Sequence, residues 1–195
     1  FWQEIIRKNP EAWLAYNNLG NEYSKIGEIQ KAKFLYAKAV EIKPDFAKAY
    51  FNLATIYDIT NNLQSAIPLY EKAIEFDPFY GEAYSNLGGL YFKIGQLQKA
   101  AFFLEKAVQL KPDFAEAHFN LGTVYKEKGD YQQAVNFYTR AISLEPDFAM
   151  AYFNLGKVYL VQKRYKLAVD NFDQAVKLGY NVPPELLAEL NAYRQ

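Results

Sequence analysis

The stretch PDFAEAHFNLG at residues 112–122 recurs along the chain with few changes. Close copies occupy residues 44–54 and 146–156, and a looser copy occupies residues 78–88. The prolines that open these copies, together with Pro10, are spaced 34 residues apart. A fixed period of this length is typical of one small structural unit stacked on copies of itself. The sequence therefore predicts a repeat array.

The composition and the net charge argue against several classes of protein and of binding site. The chain has 195 residues, and its 22 lysines and arginines balance its 22 aspartates and glutamates. Zero net charge argues against a nucleic-acid-binding protein, because that class usually carries a basic excess that neutralises phosphates. The chain has no cysteine and one histidine, which excludes disulfides, thiolate metal sites and multi-histidine metal sites. No cofactor is expected, and no apolar run approaches the ~20 residues that span a bilayer.

The period divides the chain into five repeats when each repeat begins three residues after its proline. We expect these repeats at 13–46, 47–80, 81–114, 115–148 and 149–182. Residues 1–12 are expected to be the second-helix stub of a truncated repeat. Residues 183–195 are expected to form a capping helix, at roughly 184–194, because the end of such an array needs a polar outer face.

Each repeat carries two apolar stripes at helical spacing. One stripe falls at repeat positions 4, 7, 8 and 11, and the other falls at positions 20, 24 and 27. Between them stand Gly27, Asn61, Gly95 and Gly129, residue types that tolerate the left-handed conformation at a helix end, whereas the fifth repeat has Lys163 there. The large side chains of the stripes are expected to form the core: Leu19, Tyr23, Tyr36, Leu53, Tyr57, Tyr70, Leu87, Tyr91, Leu121, Tyr125, Tyr138, Leu155 and Tyr159.

This set of positions resembles the tetratricopeptide repeat (TPR), over residues 13–182 and in five in-phase copies. The resemblance implies an all-α fold, a right-handed α-α superhelix of stacked antiparallel helix pairs with a C-terminal capping helix. It also implies a non-catalytic protein-protein interaction scaffold that binds a peptide or protein segment in its concave groove.

Two local features predict details of the helices. Asp45, Asp113 and Asp147 precede first helices and are expected to cap them, and Asp113 with Glu116 has the spacing of a capping box. Pro68 lies inside a second helix, where its missing N–H predicts a local bend.

No residue pattern indicates an enzyme. Nucleophilic catalysis by serine needs an adjacent base, and the only histidine, His118, stands at repeat position 4, where the other repeats have tyrosine. We therefore interpret His118 as a buried packing residue. The carboxylates fall on helix surfaces and form no acid–base pair in a pocket.

The candidate binding residues come from the first helices. In the TPR family, positions 2, 5, 6, 9, 12 and 13 face the groove, and here the residues at positions 5, 6 and 9 are mostly amide, hydroxyl and aromatic. The candidates are Asn18, Asn52, Asn86, Asn120 and Asn154 at position 6, with Asn17, Asn21, Phe51, Phe119 and Phe153. A row of carboxamides can bond the N–H and C=O groups of a peptide, or it can bond neighbouring helices as part of the scaffold. The phenylalanines can likewise contact a peptide or pack beneath the next repeat.

Two further resemblances suggest an alternative function. The asparagine row is similar to that of the O-linked N-acetylglucosamine transferase repeat region. The opening residues 2–10, WQEIIRKNP, and the closing residues 179–185, GYNVPPE, resemble membrane proteins of the transmembrane-and-TPR, glycosyltransferase-related kind. These imply a substrate-presenting appendage of a larger membrane or glycosyltransferase-type enzyme.

Partners and compartment are only partly determined by the sequence. We expect a protein or peptide partner, no nucleic acid, and no direct insertion of these residues into a membrane. Self-association through the truncated N-terminal face, which carries Trp2 and Ile5, is a further alternative. The sequence is compatible with a cytoplasmic or an extracytoplasmic location.

Overall fold

The computed structural model describes residues 1–194, and every regular element in that range is helical. The predicted all-α fold is confirmed. The first helices begin at residues 13, 47, 81, 115 and 149, with the same 34-residue spacing as the prolines. The α-helices are α1 (Trp2–Lys8), α2 (Trp13–Lys25), α3 (Ile29–Ile42), α4 (Ala47–Ile59), α5 (Leu63–Phe76), α6 (Gly81–Lys93), α7 (Leu97–Leu110), α8 (Ala115–Glu127), α9 (Tyr131–Leu144), α10 (Ala149–Val161), α11 (Tyr165–Lys177) and α12 (Pro184–Glu189), followed by a 3-10 helix at Asn191–Tyr193.

The helices belong to two compact units, which are described separately: Phe1–Leu90, and the residues from Tyr91 onward. In the first unit, α2 packs on α3 and α4 packs on α5, while α1 contacts α2 and α3 contacts α4. In the second unit, α8 packs on α9 and α10 packs on α11, while α7 contacts α8 and α9 contacts α10. In these repeats, a first helix therefore contacts the second helix of its own repeat and that of the preceding one.

The core extends between successive helices: one cluster joins Tyr36 of α3 to Leu53 of α4, and another joins Tyr138 of α9 to Leu155 of α10. Nine of the thirteen predicted core side chains are at most 8% exposed, and Tyr70, Leu87, Leu121 and Tyr138 are fully buried. The other four are tyrosines at repeat position 11, Tyr23, Tyr57, Tyr125 and Tyr159, which are only half-buried. An amphipathic tyrosine keeps its ring in the core and its hydroxyl near water.

The turn between the helices of a repeat uses a residue with positive φ. Gly27, Gly95 and Gly129 have φ of 77°, 75° and 79°, and Asn61 has 57°. Lys163 adopts the same conformation, with φ of 58°, although its Cβ makes that conformation unfavourable. The predicted break is thus confirmed, and it also occurs in the repeat that lacks glycine and asparagine.

The predicted aspartate caps are wrong. The N-cap residues of α4, α8 and α10 are Phe46, Phe114 and Phe148, and none of these helices has a side-chain cap bond. The aspartates lie one residue earlier, inside a turn that the preceding proline opens. In the second repeat, for example, the Phe46 N–H donates to the Lys43 carbonyl at 3.1 Å, across Pro44 and Asp45. This turn leaves Asp45, Asp113 and Asp147 one residue too far from the helix to cap it, and Asp113 and Glu116 form no capping box.

Pro68 does not interrupt its helix. α5 runs from Leu63 to Phe76, and Pro68 lies inside it with an exposed side chain. The helix begins with a side-chain cap, because Asn62 Oδ1 accepts from the Ser65 N–H at 3.2 Å. A bend at Pro68 stays a prediction.

The C-terminal helix is shorter than the predicted span of 184–194. It ends at Glu189 and is followed by the 3-10 turn at Asn191–Tyr193. Its apolar face still packs on the last repeat: Leu190 is 4% exposed in a cluster that includes Phe172. Arg194 forms an ion pair with Asp173 of α11. These contacts let a helix of two turns cover the end of the core.

Candidate functional site

The candidate residues lie on the first helices. We use "first-helix face" for the surface that repeat positions 5, 6 and 9 form within each unit, on α2 and α4 in the first unit and on α8 and α10 in the second. In the sequence these positions carry amides, hydroxyls and aromatic rings. The structure separates them into residues that hold the repeats together and residues whose polar groups have no partner. That separation decides which of them are available to a ligand.

Buried tyrosines at repeat position 24 form hydrogen bonds with the side chains at position 9. The Tyr36 hydroxyl donates to Asn21 Oδ1 at 2.8 Å, and the Tyr138 hydroxyl donates to Thr123 Oγ1 at 3.1 Å. The hydroxyls of Tyr70 and Thr55 lie 3.1 Å apart in the same arrangement. Burial raises the pKa of Tyr138 to about 12, so its hydroxyl stays protonated as a donor.

This pairing was not predicted, although the sequence contains a signal for it. Repeats with tyrosine at position 24 have asparagine or threonine at position 9. The two repeats without that tyrosine, which have Leu104 and Phe172, carry Gly89 and Lys157 instead. The two positions therefore vary together within this one chain.

Asn52 joins two neighbouring repeats. Its Nδ2 donates to Asn17 Oδ1 at 2.8 Å and to Asn21 Oδ1 at 3.1 Å, so α4 is bonded to α2. Asn17 is only 3% exposed, and its own amide points to Asn18 Oδ1 at the long distance of 3.5 Å. Asn17 and the donor group of Asn52 therefore belong to the scaffold.

The remaining asparagines at position 6 differ from one another. Asn86 Nδ2 donates to the Tyr70 hydroxyl at 3.0 Å. Asn154 Nδ2 donates to the carbonyl of Met150, one turn earlier in its own helix, at 2.9 Å. The half-buried Asn120 carboxamide forms no hydrogen bond within residues 1–194. Asn120 is thus the position-6 residue whose donor and acceptor groups are both available.

The three phenylalanines at position 5 pack on their own repeats. Each ring lies against an aromatic residue from the end of the same repeat, with centroid distances of 4.8 Å for Phe51 and Tyr80, 4.9 Å for Phe119 and Phe148, and 4.7 Å for Phe153 and Tyr180. All three phenylalanines are half-buried. They form fixed apolar platforms with one part of the ring accessible.

An open cavity lies on the first-helix face of the first unit. Its volume is about 280 Å³. Its lining includes Asn21, Tyr36, Phe51, Asn52 and Thr55, so it combines the anchored amides with one phenylalanine platform. The hydrogen bonds beneath these groups hold them in place, which reduces the ordering cost of binding a ligand there.

His118 is a packing residue, as predicted. It is 8% exposed and its ring lies 6.1 Å from that of Phe137. Its Nε2 lies 3.1 Å from the carbonyl oxygen of Pro112 and therefore donates, because a carbonyl only accepts. The Nδ1 atom is buried without a partner among the described residues. Burial lowers the pKa of His118. The hydrogen bond to the Pro112 carbonyl opposes this shift, and the charge of Arg140 adds to it.

This shift predicts an acid sensitivity that depends on one residue. Because the pKa is lower in the folded state than the ~6.5 of an unfolded histidine, protonation favours unfolding. The contribution of His118 to the free energy of unfolding should be constant above the unfolded pKa of ~6.5. It should fall as the pH drops below ~6.5, until the pKa of the folded state is reached. His118→Tyr, which restores the tyrosine of the other repeats, should remove this decline. Urea denaturation at pH 7.5, 6.5 and 5.5 measures it, and an equal decline in both proteins would contradict the assignment.

Two further features concern residues 1–194 as a whole. No group of three or more histidine, aspartate or glutamate side chains there is placed to hold a metal ion. No helix in that range has the length and apolar character needed to cross a bilayer.

Comparisons with known proteins agree with the helical architecture. Sequence models described as tetratricopeptide repeat or TPR repeat match residues 13–46, 47–80, 69–101, 88–129, 122–163 and 149–181. No curated protein sequence is significantly similar to the chain.

Three solved structures illustrate the similarity. YrrB, described as a TPR protein with an unusual peptide-binding site, is 25% identical, with a TM-score of 0.77 over 100% of this chain and 98% of that one. MamA is 28% identical, with a TM-score of 0.76 over 87% of this chain and 92% of that one. PilF of Pseudomonas aeruginosa is 25% identical, with a TM-score of 0.84 over 95% of this chain and 86% of that one. Together with the sequence models, which jointly cover residues 13–181, these similarities establish that the chain belongs to the tetratricopeptide-repeat family.

Proposed function

We propose that the chain is a non-catalytic scaffold that binds an extended peptide segment of a partner protein on its first-helix face. Membership of the TPR family supports an interaction role, and the similar YrrB structure is described as having a peptide-binding site. The observation that carries the proposal is the Asn120 carboxamide. It is accessible, it has no partner within residues 1–194, and it follows the Phe119 platform in the same helix.

The chemistry of this arrangement suits a peptide backbone. A carboxamide offers one acceptor and two donors, so Asn120 can bond both the C=O and the N–H of one residue in an extended peptide. The neighbouring Phe119 ring offers an apolar contact that does not depend on the charge of the peptide. In the first unit, Asn52 has already used its donor group on α2, and only its oxygen is left for a ligand. The position-6 asparagines are therefore not equivalent contacts in this proposal.

A pair of variants tests these roles. Asn120→Ala should weaken peptide binding by about 3- to 10-fold, the effect of one or two hydrogen bonds, and should change the free energy of unfolding by less than about 0.5 kcal/mol. Asn52→Ala should instead lower the free energy of unfolding by about 1–2 kcal/mol, because two part-buried hydrogen bonds are lost. The ligands are peptides selected from a random displayed library, with affinities measured by fluorescence anisotropy and stabilities measured by urea denaturation.

A matched control is available in Asn136, an exposed asparagine on α9, outside the first-helix face. Asn136→Ala should change neither quantity. Wild-type affinity in Asn120→Ala, or a loss of affinity in Asn136→Ala alone, would contradict the proposed face.

A further inference from the structure

A second cavity lies in the second unit, at the end of the first-helix face. It has a volume of about 510 Å³, within the range of small-ligand pockets. Its wall is largely apolar and includes Phe153, Leu160 and Val161 of α10, and Leu186 of α12. Of the predicted binding residues, only Phe153 contributes to it. The cavity is thus a feature of the last two repeats and the terminal helix together.

The wall of this cavity is held by packing on several sides. Phe153 stacks on Tyr180 at 4.7 Å and lies 5.8 Å from Phe172, which is fully buried. Leu186 packs against the same core cluster as Phe172. Val161 is 57% exposed at the rim. An apolar side chain that enters here would cover aliphatic and aromatic surface now in contact with water.

The rim of the cavity carries one uncompensated positive charge. Lys126 and Glu127 form an ion pair at 3.1 Å, so their charges balance. Lys157 is exposed and forms no ion pair within residues 1–194, and its Nζ lies 5.6 Å from the centroid of the Phe153 ring. A ligand group beside the apolar cavity therefore meets a lysine whose charge is not neutralised, which favours a carboxylate there.

We infer that this cavity is a specificity pocket for a peptide segment in which an aliphatic side chain stands next to an aspartate or glutamate. The aliphatic side chain occupies the apolar wall, and the carboxylate approaches Lys157. This inference rests on the proposed function, and it adds which peptide sequences the chain prefers.

The test uses the same random displayed library and the complete chain. Selected peptides should be enriched in leucine, isoleucine, valine or methionine within two positions of an acidic residue. Val161→Asp, a change at an exposed position, should weaken those peptides by about tenfold or more, because it places a charge against the aliphatic side chain. Lys157→Glu should shift the enriched partner residue from acidic to basic. Circular dichroism confirms that each variant folds.

The outcomes separate this inference from the proposed function. Peptides that bind but show no acidic preference, and that tolerate both Val161→Asp and Lys157→Glu, would overturn the specificity pocket. If Asn120→Ala still weakened those peptides, the proposed function would stand. Failure of the library to yield any binder, or binding unaffected by all three variants, would overturn both.

Discussion

Leu87→Ala is expected to lower the free energy of unfolding by about 2–5 kcal/mol, the range for buried leucines. Leu87 occupies repeat position 7 of α6 and is fully buried. Removing its side chain loses apolar burial and leaves a space that the surrounding helices fill only in part. Urea denaturation measures the change, and each compact unit should be examined for a transition of its own, since repeat proteins do not always unfold in one step.

Leu14 supplies the control for this prediction. It is also a leucine of a first helix, but it is 48% exposed. Leu14→Ala should therefore change the free energy of unfolding by about 0.5 kcal/mol or less. A loss well under about 1 kcal/mol in Leu87→Ala would mean that the helical phase of the repeats is misassigned.

Gly122→Val should destabilise the fourth repeat by about 1–3 kcal/mol, through overpacking. A Cβ at this position would lie 2.9 Å from Cδ1 of Tyr138, and Tyr138 is fully buried with its hydroxyl bonded to Thr123. The ring can move away only if that bond and its packing are disturbed. Thermal denaturation followed by circular dichroism measures the loss.

A different glycine of a first helix tests whether this result depends on the close contact. A Cβ at Gly89 would have no heavy atom within 4 Å. Gly89→Ala should therefore raise the free energy of unfolding by about 0.5–1 kcal/mol, because alanine favours the helix. Similar destabilisation in Gly89→Ala and Gly122→Val would show that the Tyr138 contact is not the cause.

The helices could be predicted from the sequence because the signal was repeated. Each stripe position recurs in phase, so an exception such as His118 can be compared with four tyrosines at the same position and interpreted as a packing residue. The turns were predictable for the same reason in the four repeats with glycine or asparagine, whereas the equivalent turn at Lys163 follows only from the structure. The N-caps of the first helices were not predictable, because Asp45 fits equally well as a cap or as part of a turn that begins at the proline. Only the position of the first helical residue distinguishes the two.

The roles of the asparagines could not be predicted from position alone, because they depend on what the preceding repeat presents. Asn52 meets Asn17 and Asn21, whose carbonyl oxygens accept its N–H groups. In the last repeat, the preceding positions 5 and 9 are Phe119 and Thr123. Asn154 turns instead to the carbonyl of Met150 in its own helix. One residue type at one repeat position therefore forms a bridge in one place and a local bond in another.

Peptide binding on the first-helix face can be tested directly. The most direct measurement is an NMR titration of isotope-labelled protein with a selected peptide, following backbone and asparagine side-chain amide signals. If the peptide binds there, the largest shifts should fall on α2, α4, α8 and α10 and include the side-chain amide of Asn120. Shifts concentrated on α3, α5, α9 and α11, with the Asn120 signal unmoved, would contradict it.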